Sequence, residues 1–182
     1  MPTDVSDRTL IDRVRTGDAA AFASLVARHY DLIFRLAYRV LGQTSEAEDL
    51  TQDICVALPR KLRSFRGDAA FSTWLYRVTA NAAKDRLRAS AARHRAWSGW
   101  GEVEQLNRAT SQKNRDDLCW LQDAMAGLSG ELRETVALVL GEAMTHAQAA
   151  AVLQVPEGTI SWRMSEVKKA LRTLARSEEH VE

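Results

Sequence analysis

Apolar residues recur every three or four positions along most of this chain, the spacing of helices that bury one face. The first clear stretch is DAAAFASLVARHYDLIFRLAYRVLG. It places Phe22, Leu25, Val26, His29, Ile33, Leu36, Ala37 and Val40 on one stripe, with Asp18 as N-cap and Gly42 as the stop. A second helix opens at SEAE, where Ser45 and Glu48 have capping-box spacing, and continues through DLTQDICVAL until Pro59 is expected to kink or stop it. SFRGDA reads as a loop. A third helix is predicted from about Ala70 to Ala91, with Phe71, Trp74, Leu75 and Val78 at the spacing of a core-facing stripe. The periodicity lapses over ARHRAWSGWGEVEQLNRATSQKNR and returns from near Asp116 to about Arg176. Glycine and proline are scarce, so the fold class is all-α. Two small helical domains, residues 1–92 and 116–182, are joined by a flexible linker over 93–115, and the second domain contains a helix-turn-helix. Trp97 and Trp100 are unusual in a free tether and are expected to dock on one of the domains.

Charge changes this picture. The formal net charge is only +1, yet residues 1–59 carry 6 Lys/Arg and 9 Asp/Glu, residues 60–95 carry 10 and 2, and residues 96–182 carry 9 and 13. A strongly basic middle therefore lies between two acidic flanks. No apolar run approaches the roughly 18 residues that span a bilayer, and MPTDVSDRTL lacks the apolar core of a secretory signal. A cytoplasmic protein without membrane insertion is expected. Cys55 and Cys119 belong to no CxxC or Cys/His pattern and read as small buried hydrophobes.

The basic excess concentrates in FRGDAAFSTWLYRVTANAAKDRLR, residues 65–88. Within it Arg77, Asn81, Lys84 and Arg88 fall at i, i+4, i+7 and i+11, one continuous helical face, and Asp85 is the only acid between residues 69 and 101. Such a stripe repels itself unless a polyanion meets it, and a phosphate backbone is the natural partner; a merely solvated face is the plainer reading. In the preceding loop, Phe65 and Arg66 lie beside Gly67, where the backbone can turn sharply. An aromatic, a cation and a flexible backbone are what stacking on an unpaired base requires.

The C-terminal THAQAAAVLQVPEGTISWRMSEVKKALRTL has the shape of a helix-turn-helix. Thr145 and Gln148 form a capping box, and Ala147, Ala150 and Ala151 are small residues suited to close helix approach. Leu153, Val155 and Ile160 supply core, and a second helix starts near Pro156–Gly158. Beyond its first turn that helix carries Arg163, Lys168, Lys169, Arg172 and Arg176 against one acid, Glu166, as a helix lying in a major groove would. A helical hairpin unrelated to DNA is the plainer alternative.

Four blocks, GDAAAFASLVARHY, EAEDLTQDICVAL, FRGDAAFSTWLYRVTANAAKDRLR and VPEGTISWRMSEVKKALRTL, occur in the order and spacing of a known family. From about Asp7 to Arg176 the chain resembles an extracytoplasmic-function sigma factor, the smallest type of bacterial transcription initiation factor. The resemblance implies sigma-2 and sigma-4 domains that bind core RNA polymerase and read the −10 and −35 promoter elements. It implies that Asp49, Leu50, Gln52 and Asp53 dock on the clamp helices of the largest subunit, with the flap of the second-largest subunit as a further contact. Phe65, Arg66, Gly67, Asp68 and Asn81 fall where the family captures a flipped-out −10 base, with Arg77, Lys84 and Arg88 on the same DNA side. Thr159, Ser161, Trp162, Arg163, Glu166, Lys168 and Lys169 fall on the −35 helix. Ser161, Trp162 and Glu166 depart from the family's basic, small and basic residues, which implies a different −35 specificity. An anti-sigma factor is the further implied partner. No cofactor, metal or catalytic residue is expected.

Three other readings compete. A sigma-mimic decoy would bind an anti-sigma factor without directing transcription. A plain helix-turn-helix repressor would leave the acidic second helix and the FRGD loop without a role. An enzyme using Asp49 and Asp53 on a metal lacks a third ligand at suitable spacing, a nucleophile–base pattern and a phosphate loop.

Overall fold

The computed structural model describes residues 5–97 and 124–178. Trp100, Cys119 and the expected linker from residue 98 onward lie outside the described residues. Helix α1, Asp7–Arg15, was not foreseen; it is short, and its apolar side is only Leu10, Ile11 and Val14. Ser6 caps it, accepting from the Thr9 N–H at 3.3 Å. Helix α2, Ala19–Leu41, begins as expected at Asp18, whose Oδ1 accepts from the Ala21 N–H at 2.9 Å. This hydrogen bond, followed by the Arg13 side chain, holds the Asp18 carboxyl below the usual aspartate range. Gly42, at φ 78°, ends the helix in the left-handed conformation.

Two expectations for the second helix need correction. Helix α3, Thr44–Leu62, starts before Ser45, with the Ala47 N–H donating to the Gln43 carbonyl at 3.0 Å, so the Ser45–Glu48 capping box does not form. Nor does Pro59 stop it. A helix-interior proline costs about 3 kcal/mol, whereas burying a leucine contributes roughly 1.5–3 kcal/mol. Leu58 and Leu62, on either side of Pro59, are both fully buried, and together they offset the loss. Helix α4, Phe71–Trp97, runs past Ala91 into the stretch read as linker. Phe71 and Leu75 are buried, while Trp74 and Val78 are half-buried against the same core.

In the C-terminal half, residues 124–127 are helical and precede α5, Gly130–Val136. A π-helical turn, Ala137–Gly141, leads to α6, His146–Leu153, and α7, Glu157–Glu178. The Thr145–Gln148 capping box is present in both directions, at 3.2 and 2.9 Å. Gln154 makes the turn at φ 56°. Ala149 and Ala150 are the buried small residues of α6; Ala147 and Ala151 are exposed, because the buried face is displaced by part of a turn.

Helix α2 packs against α1, α3 and α4, and α7 packs against α5 and α6. The two halves also meet. α4 lies against α5 and α6, and α2 lies against the π turn. Buried residues from Leu10 to Ile160 form one hydrophobic cluster across both halves.

Candidate nucleic-acid interface

The loop before α4 is built by aromatic packing and one arginine. Phe65 is half-buried, its ring 5.6 Å from Phe71 and 5.3 Å from Trp74 between centroids, so its backbone is anchored while Arg66, Gly67 and Asp68 stay exposed. Gly67, at φ 82°, supplies the turn, and a Cβ there would meet nothing within 4 Å, so the backbone conformation rather than lack of space requires glycine. Arg15 of α1 donates to the Leu62 carbonyl from Nε at 3.2 Å and from Nη2 at 3.0 Å, and Nη2 also donates to the Phe65 carbonyl. Behind the loop is an open cleft of about 320 Å³, the size class of small-ligand sites. One wall is Asp7, Arg8 and Asp12 of α1; the other is Phe65, Arg66, Gly67 and Phe71. Asp7 is held by Arg28 at 2.7 Å and by His29 at 2.9 Å. Asn81 and Asp68 do not line the cleft. Asn81 is exposed on α4, ten residues or about 15 Å along the helix from Phe71.

The α4 stripe is divided by the fold. Asn81 and Arg88 are exposed. Arg77 instead donates to the Ala151 carbonyl at 2.8 Å and the Val152 carbonyl at 3.4 Å, capping the C-terminus of α6. Lys84 lies 3.7 Å from Glu131 of α5. Beside them Glu134 is buried, and that burial raises its pKa.

On α3, Asp49, Gln52, Asp53 and Val56 share an exposed face, with Val56 83% exposed. Leu50, expected beside them, is buried at 4% exposure and anchors the helix. Asp53 is paired with Arg86 at 2.6 Å, and Arg86 also reaches Glu46 at 3.1 Å.

On α7, Trp162 is 59% exposed and Lys168, Lys169 and Arg172 face outward. Thr159 is half-buried. Ser161 shares a hydrogen bond with His146 at 3.0 Å, and Glu166 pairs with Lys169 at 2.6 Å. Arg163 turns inward, 6% exposed, and donates to Glu131 at 2.9 Å. Arg176 lies on α7.

Residues 25–93 match Sigma-70 region 2, and residues 124–175 match Sigma-70, region 4. The RNA polymerase sigma-H factor of Pseudomonas aeruginosa is 30% identical, covering 94% of this chain and 94% of its own length. The ECF RNA polymerase sigma-E factor of Escherichia coli K12 is 27% identical over 94% of this chain and 95% of its own. The chain belongs to the extracytoplasmic-function sigma factors. Among solved structures, CnrH in complex with the cytosolic domain of CnrY is similar at a TM-score of 0.66 and 26% identity, covering 94% of this chain and 97% of that one. The sigma factor RpoE in complex with the anti-sigma factor NepR, from Bartonella quintana, shares the fold at a TM-score of 0.67 and 23% identity, covering 85% and 96%.

Extracytoplasmic-function sigma factors are transcription initiation factors, not enzymes; they bind core RNA polymerase and promoter DNA. In this sigma factor the loop and α4 stripe lie in the region 2 match, and α6 and α7 lie in the region 4 match. Helix α1 precedes the region 2 match yet forms a wall of the cleft. Arg15 and Glu131 contribute to these sites without any signal in the linear pattern, because their partners are 32 to 50 residues away on other elements. Among the described residues no group of three His, Cys, Asp or Glu side chains could hold a metal, and no helix is long and apolar enough to cross a membrane.

Proposed function

We propose that this sigma factor acts in the cytoplasm, reading promoters through two separate faces and docking on core polymerase through a third. The cleft behind residues 65–67 receives a flipped −10 base, which stacks beside Phe65 while Arg66 and Arg88 meet phosphate. Asn81 contacts the strand further along α4. The exposed face of Asp49, Gln52, Asp53 and Val56 meets the polymerase clamp helices, with Val56 as its apolar centre. The outward side of α7, with Trp162, Lys168 and Lys169, enters the −35 major groove. Ser161 and Glu166 are engaged by His146 and Lys169, so Trp162 is the reader of base edges, by contact with a thymine methyl group. An anti-sigma factor holds the protein inactive; the similar RpoE structure is a co-crystal of a sigma factor with the anti-sigma factor NepR.

The cleft beside an anchored aromatic, with an exposed cation at its mouth, is the observation that carries the reading. Run-off transcription with core RNA polymerase and fragmented genomic DNA tests it. Initiation at discrete sites is the expected result, with Phe65→Ala weakening the −10 and Trp162→Ala the −35 preference. Tight binding to core without initiation would instead favour the decoy reading, for which the inward Arg163 is the structural motive.

A further inference from the structure

Helix α7 buries Ile160, Arg163, Met164 and Val167, which fall at i, i+3, i+4 and i+7, the spacing of one core-facing stripe. Arg163 is the charged member of that stripe, as well buried as the apolar residues around it. Helix α5 packs against α7 and offers two carboxylates one turn apart, Glu131 in its first turn and Glu134 three residues on. Arg163 donates from Nη2 to Glu131 Oε2 at 2.9 Å. Glu134, 3% exposed, lies in the field of the same arginine, whose charge opposes the rise in its pKa. Nε of Arg163 and Oε1 of Glu134 are buried without a hydrogen-bond partner among the described residues. The bond to Glu131 is therefore a directional tie between the two helices, set in otherwise apolar packing.

A buried ion pair is a poor way to gain stability, since an apolar residue of similar volume holds a helix as well or better. What the pair adds is orientation. Apolar stripes still pack after a small rotation, whereas a charged N–H···O bond at this distance is lost. A turn of 10° about the α7 axis moves an atom about 6 Å from that axis by roughly 1 Å, about twice the tolerance of a preorganised site. Trp162 is the neighbour of Arg163 and is 59% exposed, so the rotation that satisfies the arginine also fixes where the indole points. We propose that Arg163 is a positioning residue for −35 reading: it touches no DNA, and through Glu131 it sets the rotation of α7 that presents Trp162 to the major groove. This rests on the promoter-binding reading above. Affinity and discrimination then reside in different residues. Lys168 and Arg172 face outward to phosphate, and the Arg163–Glu131 pair governs the choice among sequences.

Holoenzyme is titrated with labelled duplexes carrying the −35 element mapped by run-off transcription, and with every single-base-pair variant of it, at several salt concentrations. A mismatched pair ordinarily weakens binding about fivefold to a hundredfold. Arg163→Met is expected to bind the mapped element within about threefold of wild type, with an unchanged salt slope and an unfolding midpoint no lower, while its mismatch penalties shrink at least about fivefold. Arg163→Lys should recover part of the discrimination, because it keeps a charge for Glu131 without the planar fork. Lys168→Met gives the contrast, weakening all duplexes alike and making the salt slope shallower by about 0.9. Should Arg163→Met fail to fold, Glu131→Gln removes the charge partner at a side chain that is 54% exposed, and the same relaxed discrimination is expected. A shallower salt slope for Arg163→Met would make Arg163 a phosphate contact and overturn the proposal. Undiminished discrimination in Arg163→Met or Glu131→Gln would overturn it too, as would an equal loss on every duplex with a lowered midpoint, the mark of a residue that only stabilises. If wild-type holoenzyme initiates but distinguishes none of the duplexes, the −35 reading itself fails.

Discussion

Arg15 lies outside both promoter-reading helices, yet the structure makes it the strut of the −10 loop. Replacing it with alanine removes two hydrogen bonds to the Leu62 carbonyl and one to the Phe65 carbonyl. A hydrogen bond from a charged donor is worth about 1.5–3 kcal/mol when desolvated. The Arg15 side chain is 36% exposed, so water competes for it and the three bonds together are better valued at about 2 kcal/mol. If that energy is what orders the loop, binding of a −10 single strand should weaken roughly thirtyfold. Helix α1 itself stays docked through Leu10, Ile11 and Val14, so the fold persists. The assay is binding of holoenzyme to a non-template strand labelled with a fluorescent base analogue at −10, beside a −35 duplex as internal control. Arg15→Lys should fall between wild type and alanine, because a single ammonium cannot span two carbonyls as a planar fork does. Unchanged −10 binding would refute the reasoning. So would an equal loss at −35, which would make Arg15 a general stability residue.

Three further outcomes follow from other elements. Burial raises the Glu134 pKa, with Glu131 adding to the effect and Lys84, Arg163 and Arg88 opposing it. The native state therefore holds this proton more tightly than the unfolded chain, and stability is lost as pH rises from the ordinary glutamate value through the raised one. Glu134→Gln should accordingly stabilise at neutral pH and give no advantage in acid; a denaturant midpoint shifted equally at both would contradict this. Gln154 occupies the left-handed region, which costs a non-glycine residue about 1–2 kcal/mol, partly offset by the entropy glycine loses on folding. Gln154→Gly should thus raise the unfolding midpoint by the equivalent of about 0.5–1 kcal/mol, and a lower midpoint would show that this side chain has a role of its own. Trp162→Ala removes a side chain 59% exposed, so thermal stability should stay within about 0.5 kcal/mol while −35 discrimination falls. Promoter selection unchanged by this variant would remove Trp162 from the readout.

Amphipathic periodicity carries far in this chain. The α2 stripe, its Asp18 cap and Gly42 stop, the capping box of α6 and the helix-turn-helix were legible because each depends on neighbours within four residues. The same locality explains the errors. Ser45 and Glu48 have capping-box spacing, but the helix had already begun at Thr44; Pro59 carries a local stop signal that the burial of Leu58 and Leu62 overrides. Leu50 sits among acidic neighbours and reads as surface, although it points into the core.

The sequence by itself determined the helical segments, the loop chemistry of Phe65, Arg66 and Gly67, and the charge asymmetry that singles out α4. Each is written in residue types and short spacings. Only the tertiary structure decided which cations are available. Arg77, Lys84, Arg88 and Arg163 are alike as sequence signals, yet Arg88 is exposed while the others meet carbonyls or carboxylates of a helix remote in the chain. Charge is a property of a residue, but its pairing depends on whatever acceptor the fold brings within a few ångströms, and no local pattern encodes that distance.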